Sequence, residues 1–172
     1  MMNIEQDEKR NADGVSLLVS ILVCYPEIGT ISFDPTTESL KMTFVLDDIN
    51  LNEEYNVLQE KLHSSILSYH ALEGIRESQI SIRQESYENT AFINIIRDVA
   101  TLSKGEIALI STLIKERFME HLITDDNDSM REDELLVQEE VIDRMLFNVH
   151  KNRDMSKLIG IREDGRVMIF NK

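Results

Sequence analysis

The sequence predicts an α+β protein. The expected order is an N-terminal helix, two consecutive β-β-α units forming one antiparallel four-stranded sheet with helices on one face, then a C-terminal helix and β-hairpin. Three observations carry this expectation. Pairs of short apolar/polar alternating segments recur, each pair joined by turn-forming residues. Each of the first two pairs is followed by a stretch with apolar residues three and four apart, the spacing of one helix face. Near the C-terminus, Asp164-Gly165 separates two apolar runs, a strong hairpin signal.

In chain order, residues 1–13 are charged and aperiodic and read as a frayed leader. A buried helix is expected over 15–25, entered from Asp13 or Ser16 and stopped before Pro26. Residues 29–33 and 40–46 then alternate about the turn Asp34-Pro35-Thr36-Thr37. Asn50 or Asn52 caps a helix to about Leu72, with Tyr55, Leu58, Leu62, Ile66 and Tyr69 on one face and Gly74 at its end. The second unit places strands at 79–83 and 91–96 around a turn over 85–89. Ser103 and Glu106 then read as a capping box, opening a helix with Ile107, Ile110, Ile114, Phe118 and Leu122 inward. A second box, Ser129 with Glu132, opens a helix to about Val149 carrying Leu135, Ile142, Met145, Leu146 and Val149. The hairpin is expected to carry Ile159, Ile161, Val167 and Ile169 on one face and Leu158, Met168 and Phe170 on the other. The chain divides into the leader 1–13, a main domain 14–124, and an appendage 125–172 of acidic linker, helix and basic, apolar hairpin.

Charge narrows the function. The 172 residues carry a net charge of −14, which disfavours general nucleic-acid binding. It is unevenly spread: residues 144–172 hold seven bases against three acids, a surplus of +4, leaving −18 for the rest. Cys24, the single cysteine, lies in an apolar run and reads as a small buried hydrophobe. That run is too short to span a bilayer, and its acidic leader and missing cleavage site argue against export, so a cytoplasmic location is expected.

The chemical motifs fail on inspection. Asp125 and Asp126 both open calcium-loop registers that lack the glycine at position six and the glutamate at position twelve. Of the four histidines, His63, His70, His121 and His150, the first two stand seven apart on one helix, too far for a shared metal, and only acids such as Glu73 lie at ligand spacing from His70, so all four read as surface histidines. No nucleophile elbow, P-loop or dinucleotide fingerprint is present. No catalytic residue, cofactor or metal ligand is assigned, although an enzyme assembled from scattered residues remains an alternative. Phe33, Phe44 and Phe92 read as core residues and not as base-stacking platforms. The hairpin stands out, because apolar residues on both faces require two covers: one the fourth helix, the other either the main sheet of its own chain, which would bury it, or another molecule. With basic flanks, it is expected to dock a protein partner or a second copy through Lys157, Arg162, Arg166, Met168 and Phe170. RNA bound through the same basic segment is the alternative partner; a membrane is not expected.

Overall fold

A computed structural model describes residues 4–49, 53–124, 131–152 and 154–171. The α+β architecture is as expected. Helix α1 (Ile4–Cys24) is followed by β1 (Thr30–Asp34), β2 (Ser39–Leu46), α2 (Glu53–Glu73), β3 (Ile80–Tyr87), β4 (Thr90–Asp98) and α3 (Lys104–Phe118). Then come α4 (Glu132–Glu140), α5 (Ile142–Lys151), β5 (Leu158–Glu163) and β6 (Arg166–Asn171).

The sheet is larger than expected. Its order is β3-β4-β2-β1-β5-β6, antiparallel throughout. The hairpin is no detached appendage, because β5 pairs with β1 from Thr30↔Ile161 to Phe33↔Leu158 and turns four strands into six. β1 otherwise pairs only with β2, and the hairpin occupies its open side. The register aligns Ile82, Ile95, Met42, Ile31, Gly160 and Ile169 in one row across the sheet. This row and its neighbours Phe33, Leu40 and Phe44 face the helices. At Gly160 an added Cβ would stand 3.0 Å from Leu22 of α1 and from Ile169 and 3.1 Å from Ile31, so α1 lies close on β5 where the strand lacks a side chain. Helices α1, α2, α3 and α5 all contribute to this single core through Leu18, Ile21, Leu22, Leu62, Ile66, Ile107, Ile110, Ile114, Leu146 and Val149.

Four boundaries differ from expectation, each for a local reason. Helix α1 starts at Ile4 and not near Asp13, since residues 4–10 are strong helix formers despite lacking an apolar stripe. Strands β3 and β4 continue to Tyr87 and Thr90, which leaves Glu88-Asn89 as the turn with Glu88 at φ 55°. The charged residues of β3 concealed this, because edge strands pair through backbone whatever their side chains. The predicted helix after the acidic segment is two helices broken at Val141. Helix α4 buries no residue and leans on α1, where Ser20 Oγ donates to Gln138 Oε1 at 2.9 Å, while α5 drives Ile142, Leu146 and Val149 into the core. The Ser129 cap, the Asn50 and Asn52 caps and the candidate calcium loop lie at least partly outside the described residues. At the start of α4, Arg131 N–H donates instead to the Glu134 carboxylate at 3.3 Å.

Candidate functional site

The helices leave the opposite sheet face uncovered among the described residues. Along β5 and β6 that face carries Ile159, Ile161, Met168 and Phe170. The pairs Ile159↔Phe170 and Ile161↔Met168 put these four side chains together. This corrects the expected division of the hairpin. The two-residue turn pairs Glu163 with Arg166, so an odd-numbered residue on β5 shares its face with an even-numbered one on β6. Leu158, Gly160, Val167 and Ile169 therefore turn towards α1. Ile159, Ile161 and Met168 remain half-buried and Phe170 is 50% exposed.

The five residues expected to bind a partner divide on the structure. Met168 and Phe170 lie in the apolar patch, with Arg166 on the same face beside Glu163. Lys157 is exposed just before β5 and shares a shallow dent of about 270 Å³ with Ser32, Lys41 and Ile96 on the uncovered face. Arg162 is placed differently. Its Nη2 donates to the carbonyls of Leu22 at 2.5 Å, Ile28 at 3.0 Å and Tyr25 at 3.4 Å. These are acceptors at the end of α1 and in the following loop, so this guanidinium acts as a C-terminal cap that ties the hairpin to α1. Arg162 also lines a notch of about 510 Å³ with Gly29, Thr30, Val45 and Ile123, at the other end of the uncovered face.

Inboard of the hairpin the same face is mixed, with Val45, Phe92 and Ile96 half-buried on it among polar residues. Thr43 Oγ1 donates to Asn94 Oδ1 at 2.7 Å across the β2–β4 pair. Bases and acids balance on this face: Lys41, Arg83, Lys157 and Arg166 against Asp34, Glu85, Asp98 and Glu163.

On the helix side lies a constellation that sequence reasoning missed. Arg97 and Glu106 are completely buried and His70 is 3% exposed, contrary to its expected surface position. Arg97 grips the Glu106 carboxylate with Nε at 2.5 Å and Nη2 at 2.9 Å, a bidentate pair. The same guanidinium donates to Gln79 O and Thr101 Oγ1, each at 3.0 Å, and to Asp98 Oδ1. His70 Nε2 donates to Glu106 Oε1 at 2.5 Å and its Nδ1 shares a hydrogen bond with Ser78 Oγ at 3.2 Å. Glu106 is thus withdrawn from the expected capping box; Ser103 Oγ still accepts from Glu106 N–H at 3.3 Å, but the reciprocal bond is lost to Arg97. The Ser78–His70–Glu106 chain resembles a proton relay, yet the carboxylate charge is already compensated by the guanidinium. The cluster joins α2, the 75–79 loop, β4 and α3 through one hydrogen-bonded network.

The remaining titratable positions read similarly. Burial and the Glu139 carboxylate push the Cys24 thiol up to about 11, which disfavours the thiolate; the residue is half-buried where the sequence predicts a buried hydrophobe. His63 is exposed, and His121 Nδ1 bonds Asp47 O at 3.1 Å. Among the described residues no cluster of histidine, cysteine and carboxylate side chains forms a metal site, and no helix is long and apolar enough to cross a membrane. Phe33 and Phe44 are core residues as expected, whereas Phe92 pairs with Val45 on the uncovered face and is only half-buried, because β4 alternates and its inward positions are Ala91, Ile93 and Ile95. Comparison with protein-family models, with curated proteins and with solved structures finds no match.

Proposed function

We propose that the chain is a cytoplasmic, non-catalytic adaptor or regulatory protein that docks a protein partner on the uncovered face of its C-terminal hairpin. The observation supporting this is the patch of Ile159, Ile161, Met168 and Phe170, four large apolar side chains gathered on a sheet face that no described helix covers. Such patches rimmed by charged residues mark interaction sites. Lys41, Lys157 and Arg166 form the rim, while the balance of bases and acids over the whole face favours a protein partner over a polyanion.

The test is affinity capture from nuclease-treated native cytosol with the full chain and an Ile159→Asp/Ile161→Asp variant. Both substitutions lie on the uncovered face of β5, away from the core, so the far-UV spectrum should not change. The wild type is expected to retain a protein that the variant loses, since charges in a buried apolar patch weaken binding by about a hundredfold or more. Equal retention by both folded chains would refute docking at this face.

A further inference from the structure

We infer that the chain forms a symmetric dimer in which β6 pairs antiparallel with β6 of a second copy, joining the two six-stranded sheets into one. The inference rests on reading the hairpin as the contact element, and it names the occupant of the hairpin's outer edge.

The sheet ends in two edges of opposite character. At one end β3 presents the exposed residues Arg83, Glu85, Ser86 and Tyr87, and edge charges of this kind discourage strand addition. At the other end β6, Arg166-Val167-Met168-Ile169-Phe170-Asn171, has a single charge at its first position. Among the described residues no strand pairs with its outer side. In a hairpin closed by a two-residue turn the flanking pair exchanges hydrogen bonds, so Arg166, Met168 and Phe170 bond inward to β5. Val167, Ile169 and Asn171 then direct their amides and carbonyls outward. A run of outward backbone groups with apolar side chains is a template for another strand.

Helix α1 carries the same signal one layer above. From Gly14 to Tyr25 it contains no charged residue, the composition of a helix enclosed on all sides. Leu18, Ile21 and Leu22 face the core, and Ser20 and Cys24 face α4, bonding Gln138 Oε1 and Leu135 O. Helical spacing turns Val15, Val19 and Val23 to the remaining side, away from α4 and above the β6 edge, where all three are only half-buried. Beneath this row lie Val167 and Ile169 of β6, also half-buried. Edge strand and valine row form one continuous apolar flank.

Charge and symmetry select a second copy as the occupant. Residues 157–171 hold three bases and two acids, a net +1, on a chain whose total is −14. Two copies meeting here join through the least acidic part of the chain, which keeps local repulsion small, and so small a charge offers little attraction to a strongly charged partner. Antiparallel self-pairing is closed by a two-fold axis, which ends the sheet at two copies and prevents a filament. Because paired residues share a face, only registers that match like faces are allowed. With Met168 opposite Met168 of the second copy, Val167 and Ile169 exchange backbone hydrogen bonds with Ile169 and Val167 of that copy. On the uncovered face Arg166 then stands across from Phe170 of the second copy, a cation–π arrangement made twice. Overhead, the valine rows of the two α1 helices approach one another.

The experiment is light scattering on the purified full chain, with Met168→Lys and Met168→Glu variants alone and mixed. The wild type should have twice the 19.9 kDa chain mass. Each variant sets two like-charged side chains directly opposite one another at the axis, on Cα atoms about 4.5 Å apart, and should raise the dissociation constant by about a hundredfold, giving a monomer with an unchanged far-UV spectrum. An equimolar mixture should recover the dimer through Lys–Glu pairing across the axis. Val19→Glu on α1 should also give a folded monomer, keeping the test sharp if strand β6 tolerates no charge at Met168. A wild type of single mass, or variants that stay dimeric, would overturn the inference. Partner capture sensitive to Ile159→Asp/Ile161→Asp by a monomeric wild type would leave the docking reading intact, so the two failures are distinguishable.

Discussion

At the scale of single residues, the buried Arg97–Glu106 pair was within reach of sequence reasoning. In β4 the inward positions are Ala91, Ile93 and Ile95, and the same two-residue period puts Arg97 next in line. A guanidinium at that position requires a buried carboxylate. Glu106 lies four residues before Ile110, and His70 four after Ile66, so both also share the phase of the core. The match of Ser103 and Glu106 to a capping box conceals the second role of Glu106. Asp98 beside the cluster allows a test with a definite sign. Burial opposes its ionisation, but Thr101, the Gln79 N–H and Arg97 together hold its carboxyl below the ordinary 3.8. A carboxylate depressed in the folded state stabilises above its unfolded value, and that contribution is lost as the pH falls through the folded one. Asp98→Asn should therefore lower stability at pH 7 by about 1–3 kcal/mol. In urea titrations the gap between wild type and variant should shrink steadily below pH 3.8. A gap independent of pH would remove the carboxylate's charge from the explanation.

At the scale of elements, legibility depended on whether a segment's own pattern decided its fate. The β1–β2 hairpin, the α2 face and the C-terminal hairpin were legible because turn chemistry and periodicity agreed. The pairing of β5 with β1 was not, since no local signal says which edge a late hairpin will join. Arg162 reports that pairing. It was expected to meet a partner among the other basic residues, whereas in the fold it reaches across to the end of α1. A strand residue that caps a helix 140 positions earlier in the chain makes the hairpin part of the N-terminal half. Arg162→Ala should thus cost about 2 kcal/mol of global stability by leaving α1 and loop carbonyls without their donor. Arg166→Ala, on an exposed strand end, should cost less than about 0.5 kcal/mol. Thermal melts of the two variants would decide the matter, and equal effects would mean that Arg162 is no more structural than its neighbour.

At the scale of the whole molecule, charge was the most readable property and sets the terms on which anything binds. The sequence showed an acidic body with a basic end, and that asymmetry suggested RNA as an alternative ligand of the C-terminal segment. Folding divides those basic residues: Arg162 turns to α1, and the bases remaining on the uncovered face are matched by acids. Contact with phosphates would have to gather several unmatched cations and release their counterions, so RNA affinity falls steeply with salt, by about 10³-fold or more between 50 and 200 mM for six phosphate contacts. A patch built on Ile159, Ile161, Met168 and Phe170 releases water instead, and screening also weakens the repulsion between a chain of −14 and any acidic protein it meets. The affinity of a captured partner should accordingly change by less than about tenfold over that salt range, and rise if it changes. Titrating the partner by calorimetry at the two salt concentrations makes the comparison direct. A loss of several orders of magnitude would transfer the hairpin from protein docking to polyanion binding, because apolar burial has no means of producing such a slope.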